Sequence, residues 1–334
     1  MEDISFVLSA PVDNLCDYTF NFYYLNQKLD PGTQIPYQAE GSYTYRDLVE
    51  ALKKGADVHI KGDVGERLAF GMGSDLKHLG GTGRPETAGR LFVDGNVGAE
   101  AGMGMVAGVL YVSGTLKEPL GNIIELGSDE DSYRKFRSIT DILCNGPGED
   151  TLVINSLDED ENILTLSDDI LRGTIGARMD CRGTVIVEGD VSNGTGLLMR
   201  RGTVYVRGNA GMNTGSRLAG GTVVVSGRVD EFAGAYMRSG NLVINEAKGY
   251  VGAKMTGGAI YSKKKVTPSP PAAPGKKSSE NTKMLRRVLG AGRLEAMLYN
   301  KYEVGSKKDN FVKVHMRDGS VVMRKIDNKI QEDF

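Results

Sequence analysis

Residues 202–239 read GTVYVRGNAGMNTGSRLAG followed by GTVVVSGRVDEFAGAYMRS, two units of nineteen residues that each begin with Gly-Thr-Val. The pattern continues on both sides of this stretch. A glycine opens each of five short β-branched runs at separations of 19, 19, 19 and 18 residues: Gly183, Gly202, Gly221, Gly240 and Gly258. A fixed period of this length indicates a repeat architecture in which each unit buries its apolar face against its neighbours.

Each unit reads as a short strand followed by a tight turn. The runs TVIV, TVYV, TVVV and NLVI have high β-propensity and follow a glycine. The dipeptides Gly-Asp, Gly-Asn and Gly-Arg come one residue after the end of the first three runs. Coils of this kind stack about 4.8 Å apart and pair their backbones as parallel ladders. The sequence therefore predicts an all-β-dominated fold, a parallel β-helix with coils of about nineteen residues.

A second landmark, a glycine followed three residues later by a long apolar residue, recurs at its own fixed offset in the unit. We expect these residues to form an internal structural ladder, because methionine fills irregular space in cores; a soft-metal or partner-binding strip is the alternative. The glycines are Gly176, Gly196, Gly215, Gly234 and Gly252, and the ladder residues are Met179, Met199, Leu218, Met237 and Met255.

Further copies of the unit lie upstream. Gly89 and Gly108 are again nineteen residues apart, with GMGM at 102–105, and an earlier copy from Gly55 is followed by the loop LKHLGGTGRPETAG. A period near eighteen also fits pairs of nine-residue calcium-binding repeats. The turn residue runs Asp190, Asn209, Arg228, Glu246, and an arginine in this row would repel the cation.

The remaining sequence divides the chain around this β-helix. Residues 1–54 are predicted to be a non-repetitive segment that caps the first coil, with a helix over 45–54. Residues 55–262 form the β-helix, interrupted by a helical insertion at 115–162 whose helix we place at 130–144. A Pro/Lys/Ser-rich linker follows at 263–280, and 281–334 is predicted to be a small α+β module of helix and hairpin with Asp318-Gly319 at the hairpin tip.

Composition excludes several classes of function. The 41 basic and 43 acidic residues leave a net charge of -2, so no global field attracts nucleic acid or a membrane surface. No stretch approaches the roughly 20 apolar residues of a membrane span. Three cysteines, Cys16, Cys144 and Cys181, lie far apart and are odd in number, which predicts reduced thiols and a cytoplasmic protein.

No pattern indicates a catalytic, cofactor-binding or metal site. His59, His78 and His315 lack the spacing of a metal site, and GGTGRPETAG (80–89) lacks the lysine ending of a phosphate-binding loop. Asp94, Glu100, Glu118 and Glu125 are close in sequence, but acid–base pairs have to converge in space. We therefore expect a scaffold, with a stand-alone hydrolase as a less favoured alternative.

The repeated units resemble a known family. GTIGARMDCRGTVIVEGD (173–190), GTGLLMRRGTVYVRGN (194–209) and VGAEAGMGMVAGVLYVSG (97–114) are similar to the GXGXG domain, a right-handed β-helix. That domain forms the C subunit of formylmethanofuran dehydrogenase and the C-terminal domain of the glutamate synthase large subunit. The resemblance covers residues 55–262 and is closer to the formylmethanofuran dehydrogenase proteins, because of the free-standing β-helix and the phrase NVGAEAGMGMVAG.

This resemblance implies a non-catalytic scaffold subunit of a cytoplasmic oxidoreductase complex in one-carbon or methanogenic metabolism. The chain would bind no cofactor of its own, and its protein partners would carry a molybdenum or tungsten pterin, iron–sulfur clusters or a binuclear metal site. The alternative is a glutamate synthase-type role, in which the β-helix couples an ammonia tunnel between glutaminase and FMN sites. Neither role predicts binding of nucleic acid or a membrane.

Overall fold

The chain folds into a β-solenoid of about nine turns, with 31% of residues in strands and 11% in helices. The structure is a computed structural model and describes residues 3–21, 23–24, 27–305, 311–315 and 321–325. The strands are β1 (Ile4–Leu8), β2 (Tyr23–Tyr24), β3 (Gln27–Lys28), β4 (Gln38–Glu40), β5 (Val58–Lys61), β6 (Arg90–Asp94), β7 (Val109–Val112), β8 (Ile123–Leu126), β9 (Arg134–Ser138), β10 (Ser156–Asp158), β11 (Ile163–Leu166), β12 (Thr184–Val187), β13 (Thr203–Val206), β14 (Ala219–Val229), β15 (Ser239–Ala247), β16 (Ala259–Ser262), β17 (Ala272–Gly275), β18 (Asn300–Val304), β19 (Phe311–His315) and β20 (Val321–Lys325). The α-helices are α1 (Tyr45–Lys53), α2 (Ile139–Asn145), α3 (Ser279–Leu289) and α4 (Arg293–Met297), and a 3-10 helix spans Lys77–Leu79.

The nineteen-residue unit sets the register of the parallel ladder, as the sequence predicts. Strands β11 to β16 pair in sequence order, and Val185, Val204, Val223, Leu242 and Ile260 lie in one line across them. These five side chains are fully buried, so one face of every strand points into the solenoid. The predicted parallel β-helix is confirmed. Residues 163–262 are called the C-terminal coils below.

The N-terminal coils, residues 4–121, begin earlier than the sequence analysis predicted. Strand β1 pairs in parallel with β5, with Ile4 opposite Val58, and β5, β6 and β7 continue the ladder. Residues 1–54 are therefore not simply a cap, because alternate residues of β1 are buried in the first coil. The predicted helix is confirmed as α1, and Thr44 and Asp47 form a capping box at its N-terminus.

Turn residues link each coil to the next through side chains. Asp63 accepts a hydrogen bond from the Asn96 amide at 2.7 Å, and Asn96 in turn accepts one from the Thr115 amide at 3.0 Å. In the C-terminal coils Asp190, Asn209 and Arg228 repeat this relay at 2.6 and 2.9 Å. The row of turn residues thus satisfies the backbone of the following coil.

The insertion at 115–162 contains a β-hairpin as well as a helix. Strand β9 pairs antiparallel with both β7 and β8, so the helix predicted at 130–144 is wrong over its first half. Residues Arg134–Ser138 extend the first sheet, and only Ile139–Asn145 are helical, starting from the Ser138 cap. Ile139, Ile142 and Leu143 of that helix are buried.

Buried polar groups join the N-terminal and C-terminal coils. Arg172, only 2% exposed, donates to the Asp168 carboxylate at 2.6 and 2.5 Å and to the Ile123 carbonyl at 2.8 Å. Burial opposes ionisation of Asp168, but the hydrogen bonds from Arg172 outweigh it and hold the pKa of the carboxyl below its usual range. The Asn122 side chain accepts from the Gly176 amide and donates to the Met105 carbonyl, so it bridges the same junction.

The segment predicted as a linker, 263–280, is partly built into the second sheet. Strand β17 pairs with β18, and β18 pairs with β16, the last coil strand. Helices α3 and α4 then cover the outer face of the last coils, where Leu285, Val288, Ala296 and Tyr299 pack with Val224, Val243, Ala259 and Tyr261. The division of the chain at 262/263 and 280/281 stays a prediction, although the helix-plus-hairpin content of the last part is confirmed by α3, α4 and the β19–β20 pair. The hairpin tip, Asp318-Gly319, lies outside the described residues.

The cysteines differ from the prediction of three reduced thiols. Cys144, at the end of α2, forms a disulfide with Cys181 in the coil before β12, across 37 residues of sequence. Cys16 is a free, fully buried thiol whose pKa is raised by burial and by the neighbouring Asp17. Among the described residues no helix is long and apolar enough to span a bilayer.

Candidate functional site

The repeated Gly-x-x-Met landmark forms a sharp corner in every C-terminal coil. Its glycines, Gly176, Gly196, Gly215, Gly234 and Gly252, have φ between 66° and 72°. The residue two positions later is also left-handed, with φ between 52° and 58°, although it is never glycine: Arg178, Leu198, Arg217, Tyr236 and Lys254. These two left-handed residues turn the chain sharply. As a result, the side chain of the second one faces outward, and the side chain of the residue that follows it enters the core.

The inward residues are those that the sequence analysis selected as a ladder. Met179, Met199, Leu218, Met237 and Met255 are all fully buried in one hydrophobic cluster. The methyl group of Met179 lies against Gly202, which opens β13 one coil further on: a Cβ placed on Gly202 would come within 2.4 Å of it. Met199 and Gly221, and Met237 and Gly258, repeat this arrangement at 2.8 and 2.6 Å. The strand-opening glycines therefore leave room for the methionines of the preceding coil.

The outward residues of the corner form two columns parallel to the solenoid axis. Backbone N–H groups of one coil donate to carbonyls of its neighbour at 2.7–3.2 Å on this corner, which fixes the columns in register. The first column consists of Arg178, Leu198, Arg217, Tyr236 and Lys254. The second consists of Asp180, Arg200, Ala219, Arg238 and Thr256.

Each coil contributes one cation to this corner, and the cations alternate between the columns. They are Arg178, Arg200, Arg217, Arg238 and Lys254, which we call the basic strip. Alternation keeps cations of the same column two coils apart, at about 9.6 Å. Asp180 is the one acidic residue of the two columns, and it pairs with Arg200 at 3.7 Å and with Arg201 at 3.2 Å.

Tyr236 lies in the middle of the basic strip. The residue is 42% exposed. The Arg217 guanidinium and the Lys254 ammonium contact its ring, at 4.9 Å and 5.5 Å from the ring centroid. Phe232 and Tyr250 stack on each other at 4.7 Å, four residues before the first-column positions of their coils. The corner therefore combines cations with exposed aromatic surface.

The basic strip begins at a groove between the N-terminal and C-terminal coils. This groove, of about 520 Å³, is lined by residues that include Arg84, Asp141, Cys144, Arg178, Asp180 and Cys181. Arg200 donates to the Gly83 carbonyl at 3.1 Å and so ties the 80–89 loop to the C-terminal coils. Burial, together with the nearby Arg200, lowers the pKa of Arg178.

The carboxylates considered as acid–base candidates each have a separate structural partner. Asp94 accepts from the Tyr133 hydroxyl, Glu100 pairs with Arg67 at 3.8 Å, and Glu118 accepts from the Leu171 amide at 2.7 Å. Glu125 forms a bidentate pair with Arg134 at 2.8 and 2.5 Å. These contacts place the four carboxylates in the frame of the N-terminal coils and the junction.

The histidines lie on different elements. His59 is in β5 and stacks on Phe92 at 4.4 Å, His78 is in the 3-10 helix, and His315 is in β19. Among the described residues, no three His, Cys, Asp or Glu side chains lie close enough together to hold a metal ion. The loop 80–89 is held by Asp75, which accepts from the Thr82 amide at 2.6 Å, and its Glu86 pairs with Lys53 at 3.2 Å.

Sequence reasoning selected the ladder but not the columns beside it. The signal was present in the letters GARM, GLLM, GSRL, GAYM and GAKM, since the residue before each ladder position is the outward one. The second column was harder to find, because its members follow the ladder residue and contribute a cation only in alternate coils.

Comparison with known proteins gives partial similarities. No protein-family model matches the chain. An uncharacterized protein of Methanothermobacter thermautotrophicus is 42% identical over 194 residues, which make up 58% of this chain and 61% of that protein. The chain thus spans about three fifths of the length of this relative. A chain in the crystal structure of the formyltransferase/hydrolase complex (FhcABCD) from Methylorubrum extorquens, in complex with methylofuran, aligns with 73% of this chain and 62% of its own length, at 20% identity and a TM-score of 0.28.

Proposed function

We propose that this protein is a non-catalytic scaffold subunit of a multi-subunit oxidoreductase complex, similar to formylmethanofuran dehydrogenase, in one-carbon or methanogenic metabolism. The observation that carries the proposal is the corner of the C-terminal coils, where outward side chains stand in two columns on a backbone held in register by the neighbouring coils. Such columns give a partner protein contact points at fixed spacings.

Three features make the solenoid stiff enough for this role. The parallel ladder joins each strand to its neighbour, the relay from Asp63 and the relay from Asp190 fix the turns, and buried methionines fill the space under the strand-opening glycines. A close-packed interior of this kind resists deformation. The function is therefore geometric, in that the chain sets the distance and orientation between the subunits that bind to it.

The identity of the complex rests on the repeated motif. The units at 97–114, 173–190 and 194–209 resemble the GXGXG subunits of formylmethanofuran dehydrogenases. In the proposed assembly the partners carry the molybdenum or tungsten pterin, the iron–sulfur clusters and the binuclear metal site, and this chain contributes no catalytic residue. We place the assembly in the cytoplasm on the basis of this resemblance alone, because the Cys144–Cys181 disulfide removes the argument from reduced thiols.

Purification of the tagged full-length chain from its source organism under mild conditions tests the proposal. We expect a stable complex that contains a pterin-dependent oxidoreductase subunit and an amidohydrolase subunit, with stoichiometric molybdenum or tungsten by elemental analysis. Recovery of glutaminase and FMN-containing subunits would support the glutamate synthase-type role instead. Recovery of the chain alone, at the mass of a monomer, would contradict both assignments.

A matched variant separates specific assembly from chance association. Tyr236→Asp changes the centre of the basic strip, whereas Tyr37→Asp changes a tyrosine that is also exposed but lies far away, in the N-terminal segment. If the corner binds a subunit, Tyr236→Asp lowers the yield of that subunit and Tyr37→Asp leaves it unchanged. Equal yields of the subunit from both variants would indicate that the docking surface lies in another part of the chain.

A further inference from the structure

The spacing of the basic strip is close to the pitch of an α-helix. Coils stack about 4.8 Å apart, and the strip presents one cation per coil over five coils. An α-helix rises 5.4 Å per turn, so a helix with one acidic residue per turn presents carboxylates at nearly the same interval. The mismatch of about 0.6 Å per coil is small compared with the reach of arginine and lysine side chains.

The charge of the basic strip is largely uncompensated. Arg217, Arg238 and Lys254 are exposed, and Arg178 is half-buried. None of these four side chains has a carboxylate partner among the residues that the structure describes. Within the basic strip only Arg200 has a carboxylate partner, Asp180, which also pairs with Arg201 outside the strip. The whole chain carries a net charge of -2, so this concentration of positive charge is local. A patch of one sign on a nearly neutral protein favours an oppositely charged partner.

The corresponding corner of the N-terminal coils has a different charge. The equivalent left-handed positions, directly before the buried Met72 and Met105, are Gly71 and Gly104, which carry no side chain. The repeat therefore does not require cations at this position. Their accumulation in the C-terminal coils calls for a reason other than folding.

The aromatic residues beside the strip distinguish between two kinds of anionic partner. The Tyr236 ring is already in contact with the cations of Arg217 and Lys254, and Phe232 and Tyr250 stack on each other. Single-stranded nucleic acid binds by stacking its bases on aromatic faces, whereas Tyr236 is engaged by two cations and Phe232 and Tyr250 each have one face covered by the other. Tyr236 and Tyr250 are 42% and 54% exposed, so they offer apolar surface to side chains that flank an acidic stripe.

We propose that the basic strip binds an acidic amphipathic helix of a partner protein, lying parallel to the solenoid axis with one carboxylate per turn facing the strip. This inference takes from the proposed function only that the partner is a protein. The helix takes no part in catalysis. It positions the partner along the corner, with Tyr236 at the centre of the contact.

Binding of a synthetic helix to the full-length chain tests the proposal. The probe is a fluorescein-labelled 18-residue peptide with glutamate at every third or fourth position on one face, and its control has the same composition with the glutamates distributed around the helix. We expect anisotropy at low ionic strength to show tighter binding of the first peptide, with affinity falling as salt is added. The double variant Arg217→Glu/Arg238→Glu should weaken binding about tenfold, because two attractive pairs become repulsive.

The matched control is Arg207→Glu/Arg228→Glu, which makes the same change in net charge at exposed arginines on the turns of the same coils. This variant should bind the peptide within about twofold of the wild type, and thermal melts should show that both variants are folded. Equal losses in the two variants would overturn the proposal, since binding would then follow net charge alone. Equal affinity for both peptides, or tighter binding of a 12-nucleotide single-stranded DNA, would also overturn it.

The strip and the proposed function fail in different ways. If the native complex assembles unchanged around the Arg217→Glu/Arg238→Glu chain, the strip is not the docking surface, although the scaffold function stands. If the wild-type chain recovers no oxidoreductase partner but binds the aligned peptide selectively, the assignment to an oxidoreductase complex fails and the strip stands.

Discussion

The N-terminal and C-terminal coils solve the same packing problem with different surfaces. Both place a methionine methyl group under a strand-opening glycine, Met72 under Gly108 in one and Met179 under Gly202 in the other, and both use an Asp-to-Asn relay at the turn. The N-terminal coils are interrupted by the loop at 76–89, and the outward positions of their corner are occupied by Gly71 and Gly104. The C-terminal coils run without interruption and carry the basic strip.

This difference shows which features belong to folding and which to function. Inward residues and turns recur in both sets of coils, because every coil has to bury its apolar face against its neighbours and to satisfy the hydrogen bonds of its backbone. Outward corner residues are free of that demand, and we therefore attribute the regular pattern among them to the proposed binding surface. The junction, held by Arg172 and Asn122, makes the two sets one continuous body.

The largest expected effect comes from a charge in the internal ladder. Met199→Asp puts an unpaired carboxylate at a fully buried position and should cost about 4 kcal/mol or more of unfolding free energy. Met212→Asp, at a methionine that is 36% exposed in the next coil, should change stability by less than about 1 kcal/mol. Thermal denaturation compares them, and an unchanged melting temperature for Met199→Asp would refute the ladder.

Hydrogen exchange on the Met199→Asp protein sharpens the comparison between the two sets of coils. If they form one cooperative body, protection falls in the N-terminal coils as well as around the mutated coil. If protection falls only in residues 163–262, the junction separates two independently stable units. The equivalent change Met105→Asp, also at a fully buried position, gives the reciprocal measurement.

A somewhat smaller effect is expected at the junction. Asp168→Asn leaves Arg172 buried without its counter-charge and should cost about 3 kcal/mol. Because the folded pKa of Asp168 is depressed, its stabilisation is present above the unfolded value near 4 and is lost as pH falls through the folded value. Chemical denaturation from pH 7 to pH 3 should therefore show the gap between wild type and Asp168→Asn closing in acid. A gap that stays constant with pH would show that Asp168 does not act through its charge.

The smallest of these effects tests the close packing at one strand-opening glycine. Gly202→Ala introduces a Cβ at φ 84° within 2.4 Å of the Met179 methyl group and 2.7 Å of the Gly183 carbonyl oxygen, and we expect a loss of about 2 kcal/mol. Gly189→Ala is the control, since a Cβ there meets nothing within 4 Å, and it should be nearly neutral. Gly108→Ala, which meets Met72 in the same way, extends the test to the N-terminal coils. Equal stability of Gly202→Ala and Gly189→Ala in denaturant titrations would contradict the packing described here.

Periodicity made the core of this fold predictable. The nineteen-residue separation of Gly183, Gly202 and Gly221 sets the register of the ladder directly, and a glycine three residues before each ladder methionine marks the corner. Strands β1 and β17 were missed because neither carries the glycine signature; β1 is held by parallel pairing with β5 and β17 by antiparallel pairing with β18. The helix predicted at 130–144 was half wrong, since β9 is held by pairing with β7 that no local propensity reveals.

The candidate site was less predictable than the core. Cys144 and Cys181 come together only because α2 packs beside the first C-terminal coil, so their separation in sequence indicated free thiols. The basic strip depends on two columns whose cations alternate between coils. A search for clusters in the sequence does not detect residues that are about nineteen positions apart and become neighbours only in the solenoid.

The Asp-to-Asn relay also gives the solenoid a direction of growth. In each link the side-chain acceptor belongs to the earlier coil and the backbone donor to the later one, as for Asp63 with Asn96 and Asn96 with Thr115. A ribosome delivers the acceptor first, so every newly emerged turn finds its template already in place. We therefore expect the coils to be laid down one at a time during translation, each short loop closing on a finished surface.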